Sequence, residues 1–150
     1  MKLAEALILR ADLQTRQEQL RERLTNNALV QEGEAPAENP ADLLKELADN
    51  TAQLENLIAR INLTNAATVQ NGKTLTELLA QRETMTLHLS VMRSLLTAAS
   101  RTVMRGSRSE VKVHPAVPVA ELQKQVDAMA KQLRTLDTGI QAANWLTELQ

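Results

Sequence analysis

The chain has 150 residues, a length typical of a single domain covering residues 1–150, and its 17 basic and 18 acidic residues give a formal net charge of −1. This balance argues against a protein that binds nucleic acid or anionic lipid through its net charge. The absence of cysteine excludes disulfides, thiolate nucleophiles and cysteine-based zinc sites, and it fits a reducing cytoplasm.

The first predicted helix covers residues 2–25, and Glu5 and Arg10 leave too short an apolar run near its start for a signal peptide. A seam is the set of residues on one helix that recur every three or four positions and are expected to be buried together. The seam of this helix is Leu3, Ala6, Arg10, Leu13, Gln17, Leu20 and Leu24. No apolar run in the chain is long enough to span a membrane as a helix.

The second predicted helix begins at Asn39-Pro40, because Asn39 can cap the free backbone N–H groups and Pro40 suits the first helical position. Its seam is Leu44, Leu47, Thr51, Leu54, Ile58, Ile61 and Asn65. The dipeptide Asn71-Gly72 ends this pattern and indicates a tight connection.

The third predicted helix begins at Thr74, because Thr74 and Glu77 have the spacing of a capping box, and it ends at Gly106, a typical C-cap residue. Its seam is Leu75, Leu78, Arg82, Met85, Leu89, Met92, Leu96, Ala99 and Val103. The spacing is again that of one helical face.

Residues 28–32 and 109–114 are predicted to form a short two-stranded β-element, within one chain or between subunits. Val111 and Val113 alternate with polar residues, and Pro115 prevents a helix from starting there. Residues 31–60 hold 2 basic and 7 acidic residues (net −5), whereas residues 91–120 hold 5 basic and 1 acidic (net +4). These opposite charges would favour the pairing.

The fourth predicted helix covers residues 119–147, and its seam repeats every seven residues. The seam is Val119, Leu122, Val126, Met129, Leu133, Leu136, Ile140 and Ala143. Such a repeat requires partner helices that lie nearly parallel or antiparallel to it. The predicted fold is therefore mostly all-α, an elongated antiparallel four-helix bundle or coiled coil with the short β-element.

Trp145 is the only aromatic residue of the chain, and it lies off the main seam of the fourth helix. If the helix continues through Gly139, Trp145 forms a second apolar stripe with Ala142, Leu146 and Leu149. Two stripes on one helix favour contact with more than one neighbour, so we expect a homo-oligomer. The alternative is that Trp145 folds over the end of its own bundle.

Charged or amide side chains occupy four seam positions where apolar side chains are usual: Arg10, Gln17, Asn65 and Arg82. A buried guanidinium has to be paired. One interpretation is a structural polar layer that sets helix register and oligomeric state. The other is a pocket between helices that binds a small anion, phosphate or carboxylate. Its candidate ligands are Arg10, Arg16, Asn62, Asn65 and Arg82.

A second candidate anion site lies near the end of the third helix, where Arg101 and Arg105 are one turn apart and Arg108 follows. Guanidinium groups suit carboxylate and phosphate. The alternative is that these cations stabilise the carboxyl end of the helix and pair with acidic residues of an earlier loop. Those residues are Glu32, Glu34 and Glu38.

His88 and His114 are the only histidines, and they lack the spacing of a helical metal-binding pair. No motif of a catalytic serine or of a metalloprotease accompanies them. We therefore expect no metal site, no cofactor and no catalytic residue.

Several stretches together resemble a family of small bacterial proteins called septicolysin-like. They include MKLAEALILRADLQTRQEQLRERL, NALVQEGEAPAENP, RINLTNAAT, TLTELLAQRE, ELQKQVD and LDTGIQAANWLTEL. The resemblance extends over nearly the whole chain. The name of that family implies a secreted cytolysin, and the resemblance assigns no catalytic residue.

Three functions follow as hypotheses. The leading one is a non-enzymatic cytoplasmic scaffold or interaction protein that self-associates. The second is a small-anion binding protein or enzyme that uses the polar pocket between helices. The third, implied by the resemblance, is a membrane-active toxin whose helices open and insert.

Overall fold

A computed structural model describes residues 1–101 and 113–150, and these residues form four α-helices and one antiparallel β-hairpin. The predicted fold class, mostly all-α with a short two-stranded β-element, is confirmed. The elements are α1 (Leu3–Asn26), α2 (Pro40–Ala67), β1 (Val69–Gln70), β2 (Lys73–Thr74), α3 (Leu75–Ala99) and α4 (Val119–Leu146).

The chain divides into two compact units. The first unit contains residues 1–75 and 141–150, and the second contains residues 76–140. Helices α1 and α2 with the hairpin therefore belong to the first unit, whereas α3 from Thr76 and α4 up to Ile140 form the second. The single domain over residues 1–150 stays a prediction.

Local sequence explains where α2 begins. The Asn39 side chain accepts a hydrogen bond from the Ala41 amide at 3.0 Å, and Pro40 occupies the first helical position. Both features were predicted. Helix α4 likewise runs through Gly139 without a break.

The β-element lies at a different place from the predicted one. Strands β1 and β2 pair Val69 with Thr74 around Asn71-Gly72, and both turn residues have positive φ, 51° and 79°. Positive φ at both turn residues is typical of the two-residue loop of a β-hairpin, and Asn-Gly is a favoured sequence for it. Residues 28–32 form no strand, and a turn follows at Gly33 (φ 84°), where the Glu34 amide donates to the Gln31 carbonyl. Most of the predicted partner segment, residues 109–112, lies outside the described residues.

Three of the four predicted seams are correct over the described residues. Every seam residue of α1, α3 and α4 that the structure describes is buried or half-buried. The predicted third helix is too long, because α3 ends at Ala99, seven residues before the predicted end at Gly106, and neither Ser100 nor Arg101 is helical. Val103 and Gly106 lie outside the described residues.

The predicted seam of α2 is wrong at alternate positions. The observed buried face runs through Leu43, Asn50, Leu57 and Thr64, each one residue before a predicted position. Leu44, predicted to be buried, is 56% exposed. The α2 sequence has Leu43-Leu44 and Leu57-Ile58, so apolar spacing alone fits either of two adjacent faces. Packing against α1 decides between them.

In the first unit, the two ends of the chain lie together. The Leu3 amide donates to the Thr147 carbonyl and the Leu149 amide donates to the Met1 carbonyl, both at 2.9 Å. The Gln150 amide donates to Thr64 Oγ1 at 3.0 Å, which satisfies a fully buried hydroxyl oxygen. These bonds hold residues 147–150 against α1 and α2.

In the second unit, Leu89 and Leu96 of α3 pack with Val126 of α4 in one buried cluster. Half-buried residues surround it: Met92, Val119, Leu122, Met129, Ala130 and Leu133. Arg82, early in α3, pairs with Asp137, late in α4, whereas Leu96, late in α3, packs in the cluster with Val126, earlier in α4, so the two helices run antiparallel. None of the helices in the described residues has the length and hydrophobicity needed to cross a membrane.

Candidate functional site

In the first unit, polar side chains join α1 to α2. Gln17 Nε2 donates to Thr51 Oγ1 at 3.0 Å, and the buried Asn50 Nδ2 donates to the Leu13 carbonyl at 3.0 Å. Gln17 is one of the predicted polar seam residues, whereas Asn50 lies on the face of α2 that was not predicted to be buried. The structural polar layer stays a prediction.

Arg16 of the predicted pocket is engaged by a carboxylate. Its Nε atom lies 3.0 Å from Glu46 Oε1. Glu46 also lies near Arg23, whose guanidinium holds Glu38 in a two-bonded geometry with distances of 2.6 and 3.1 Å. This hydrogen bond lowers the pKa of the Glu38 carboxyl below its ordinary value. Glu38, a predicted partner of the later arginines, is therefore paired with Arg23.

Asn62 and Asn65 do not lie close to Arg16. Asn62 is exposed and Asn65 is half-buried near the end of α2. Arg16 contacts Glu46, and the 19 residues from Glu46 to Asn65 correspond to roughly 28 Å along a helix. These side chains cannot contact one small anion together.

Arg10 is half-buried, and its Nε atom is buried without a hydrogen-bond partner in the described structure. A buried hydrogen-bond donor without a partner lowers the stability of the fold. Arg10 belongs to the first unit with Arg16, Asn62 and Asn65, whereas Arg82 belongs to the second. The role of these five residues as ligands stays a prediction.

In the second unit, Arg82 Nη1 lies 3.0 Å from Asp137 Oδ1. A small cavity of about 260 Å³ surrounds this pair and is lined by Arg82, Thr86, Leu133, Arg134 and Asp137. The carboxylate of Asp137 neutralises Arg82, which makes this guanidinium a weak candidate for an anion.

A larger groove adjoins this cavity. It has a volume of about 450 Å³ and is lined by Thr86, Leu89, Ser90, Arg93, Ser94, Thr97, Arg101 and Leu133. No carboxylate belongs to the part of this lining that the structure describes. Neither Arg93 nor Arg101 forms an ion pair with any residue in the ranges 1–101 and 113–150.

Of the arginines predicted near the end of the third helix, the structure therefore places Arg101 in this groove. Arg105 and Arg108 lie outside the described residues. Arg93 was not among the predicted site residues, although hydroxyl and arginine residues recur every three or four positions from Thr86 to Arg101.

The opposite side of α3 carries a second apolar stripe, which we call the outer face. Leu87, Val91 and Leu95 recur every four residues and are 62, 68 and 42% exposed. At 100° per residue, Val91 lies roughly 150° around the helix from the buried Leu89 and Leu96. Helix α3 thus has one covered and one uncovered apolar side.

The stripe predicted around Trp145 is only partly covered. Trp145 is 55% exposed and Leu146 is 78% exposed, whereas Leu149 is buried by the bonds between the chain ends. The alternative prediction, in which Trp145 folds over its own bundle, is not what the structure shows.

Both histidines are exposed. Among the residues that the structure describes, no group of three or more His, Asp or Glu side chains is placed to hold a metal ion.

Comparisons with known proteins place the chain among proteins without an assigned role. The sequence model of a protein family, described as a family of unknown function (DUF6847), matches residues 10–149. The chain is also similar to a solved structure, the crystal structure of a functionally unknown conserved protein from Corynebacterium diphtheriae. The two chains are 40% identical with a TM-score of 0.93, and the match covers 100% of this chain and 99% of that one. No curated protein matches.

The predicted membership of the septicolysin-like family is wrong. The family that matches nearly the whole chain is a different one, and the similar structure is of a protein without known function. The toxin hypothesis depended on that resemblance and has no other support.

Proposed function

We propose, from the premise that this chain belongs to the DUF6847 family of unknown function, that it is a non-enzymatic interaction protein that self-associates through the outer face of α3. The observation that carries the proposal is the exposure of Leu87, Val91 and Leu95 in one stripe. Exposed apolar stripes of this kind are usual at protein interfaces.

The spacing of the stripe suits a second copy of the same chain. In a twofold symmetric interface, the same surface patch meets itself. If two α3 helices pack antiparallel about Val91, Leu87 of one copy meets Leu95 of the other, because both are four residues from Val91. Each helix then covers the apolar stripe of the other.

Charges at the edge of the stripe support the same arrangement. Glu83 lies 8 residues before Val91 in α3, and Arg101 lies 10 residues after Val91, just beyond the end of α3 at Ala99. The antiparallel packing therefore brings the helix end near Glu83 of one copy toward the helix end near Arg101 of the other. In the described part of the chain neither forms an ion pair. The complementary ends favour the antiparallel orientation.

Sedimentation equilibrium of the wild-type protein tests this proposal. We expect a dimer, and we expect Val91→Glu to dissociate it, because a carboxylate would be buried at the centre of the interface. Leu63→Glu is the matched control, since Leu63 is 63% exposed on α2. A wild-type monomer, or a dimer that Val91→Glu leaves intact, would overturn the proposal.

A charge exchange tests the orientation. Glu83→Arg and Arg101→Glu should each weaken the dimer, and the double variant should restore it. Failure of the double variant to recover would exclude the antiparallel register.

Trp145 distinguishes the rival surface. It is the only Trp and there is no Tyr, so its fluorescence reports on one position. Association through α3 should leave the emission maximum unchanged on dilution. A blue shift on association, with loss of the dimer in Trp145→Ala, would place the interface at the end of α4 instead.

A second candidate function, small-anion binding, is favoured by one separate observation. Arg93 and Arg101 line a groove that contains no carboxylate among its described lining residues. Two unpaired guanidinium groups at one cavity are suited to phosphate or carboxylate.

A further inference from the structure

The groove beside α3 contains a row of exposed polar side chains that do not belong to the buried core. Thr86, Ser90, Ser94 and Thr97 lie on its wall between Arg82 and Arg101, with Leu89 and Leu133 as its apolar part. Binding sites for small molecules commonly combine such an apolar surface with a few polar groups, in volumes of about 300–1,000 Å³. The groove, at about 450 Å³, lies in this range.

The hydroxyl groups differ in what they offer a ligand. Thr86, Ser94 and Thr97 donate to backbone carbonyls one turn earlier in α3, at 2.8, 3.1 and 2.9 Å. Ser90 makes no side-chain hydrogen bond within the described ranges, so its hydroxyl is a free donor one turn from Arg93. Ser90 and Arg93 together form the best-placed contact for one anionic group.

The second cation of the groove, Arg101, lies just beyond the end of α3 at Ala99. Arg93 and Arg101 are eight residues apart, which separates their backbones by about 12 Å. Arg101 also offsets the partial negative charge at the carboxyl end of α3, which would otherwise repel an anion. The two arginines are therefore suited to the two ends of an extended ligand.

We infer that this groove binds an extended ligand that carries at least two phosphate groups, one at Ser90 and Arg93 and the other at Arg101. Phosphate suits these positions because guanidinium groups bind its oxygens in a two-bonded geometry. This inference rests on small-anion binding, the second candidate function, and names the class of ligand for it. It does not require self-association.

Titration calorimetry with inorganic phosphate and with tripolyphosphate, at constant ionic strength, tests the inference. Tripolyphosphate should bind at least tenfold more tightly, because it can reach both arginines. Arg93→Gln should reduce its affinity at least tenfold. Lys124→Gln removes one positive charge from an exposed position of α4 and should leave the affinity unchanged.

The outcomes separate the two levels of the proposal. Phosphate binding that depends on Arg93, with no gain for tripolyphosphate, would overturn the extended ligand and leave small-anion binding standing. No saturable binding of either, or equal losses in Arg93→Gln and Lys124→Gln, would overturn both. Sedimentation of Arg93→Gln should show an unchanged mass, since Arg93 lies on the groove side of α3 and away from the outer face.

A nucleoside triphosphate identifies the source of the phosphate groups. If it binds more tightly than tripolyphosphate, its organic part contacts the apolar wall of the groove, and Leu133→Ala should remove that gain. If tripolyphosphate binds as well or better, an inorganic polyphosphate is the better ligand. Both results support an extended phosphate ligand.

Discussion

The buried amide of Asn50 donates a hydrogen bond from Nδ2 to the main-chain carbonyl of Leu13, 3.0 Å away, and so ties α2 to the middle of α1. Its Oδ1 atom is buried without a hydrogen-bond partner in the described structure. Because only one of its two polar atoms is satisfied, Asn50 contributes more to the register of the two helices than to their stability.

Changing Asn50 to Asp should be strongly destabilising. The variant places a carboxylate against the Leu13 carbonyl oxygen and removes the donor, so we expect the free energy of unfolding to fall by about 3 kcal/mol at pH 7. Urea denaturation measures this change. Asn62→Asp, at an exposed position of the same helix, should change stability by less than about 0.5 kcal/mol. Similar losses in both variants would show that the Asn50 environment is not buried.

The corrected seam of α2 predicts opposite results for two neighbouring leucines. Leu43 is 3% exposed, and Leu43→Ala should cost about 2–4 kcal/mol, because it leaves a cavity beside α1. Leu44→Ala should cost less than about 0.5 kcal/mol. Denaturation of the two variants side by side gives the comparison. A larger loss of stability in Leu44→Ala than in Leu43→Ala would show that the predicted face of α2 is the buried one.

The second unit has its own matched pair on α4. Met129 packs against the cluster around Leu89, and Met129→Lys should destabilise the unit by about 3 kcal/mol or more, because it brings a charge toward that cluster. Lys131 is exposed two residues away, and Lys131→Ala should be nearly silent. Thermal unfolding followed by circular dichroism measures both. If the two variants unfold at the same temperature, α4 does not present this face to α3.

Stability should fall in acid, partly through the contact between the chain ends. Glu148 accepts a hydrogen bond from Lys2 Nζ at 2.6 Å, and this bond, followed by the Met1 ammonium, lowers the pKa of the Glu148 carboxyl. The folded state then binds fewer protons than the unfolded state. The ion pair therefore stabilises the fold fully at pH values above the ordinary pKa of a glutamate carboxyl. This stabilisation is lost as the pH falls through the lowered pKa of the folded state.

Urea denaturation between neutral and acidic pH tests that sign. Glu148→Gln should be less stable than the wild type at neutral pH, and the difference should shrink as the carboxylate of the wild type becomes protonated. Glu38→Gln should behave in the same way, because Arg23 lowers the pKa of Glu38. Glu55→Gln, at an exposed position without an ion pair in the described chain, is the control. A difference that grows in acid would contradict the assigned direction.

Part of the candidate site was within reach of the sequence. Arg101 was identified because cations near a helix end are visible in the sequence alone. The sequence did not indicate that Arg101 would be unpaired with Glu38. Glu38 pairs instead with Arg23, which lies fifteen residues before it in the chain. Arg93 and Ser90 lie on the flank of α3 beside the groove, and apolar spacing identifies only the seam positions of a helix.

The sequence by itself determined the four helices, the residues near which each begins, and the buried faces of α1, α3 and α4. These properties depend on local causes, such as the Asn39 cap and apolar residues at helical spacing, that act within a few residues. Only the tertiary structure decided which of two adjacent faces of α2 is buried, and which arginines are paired. Those choices depend on contacts between residues that are distant in the chain, such as Arg82 and Asp137. Such a contact does not change the spacing of apolar residues within either helix, so the sequence pattern does not reveal it.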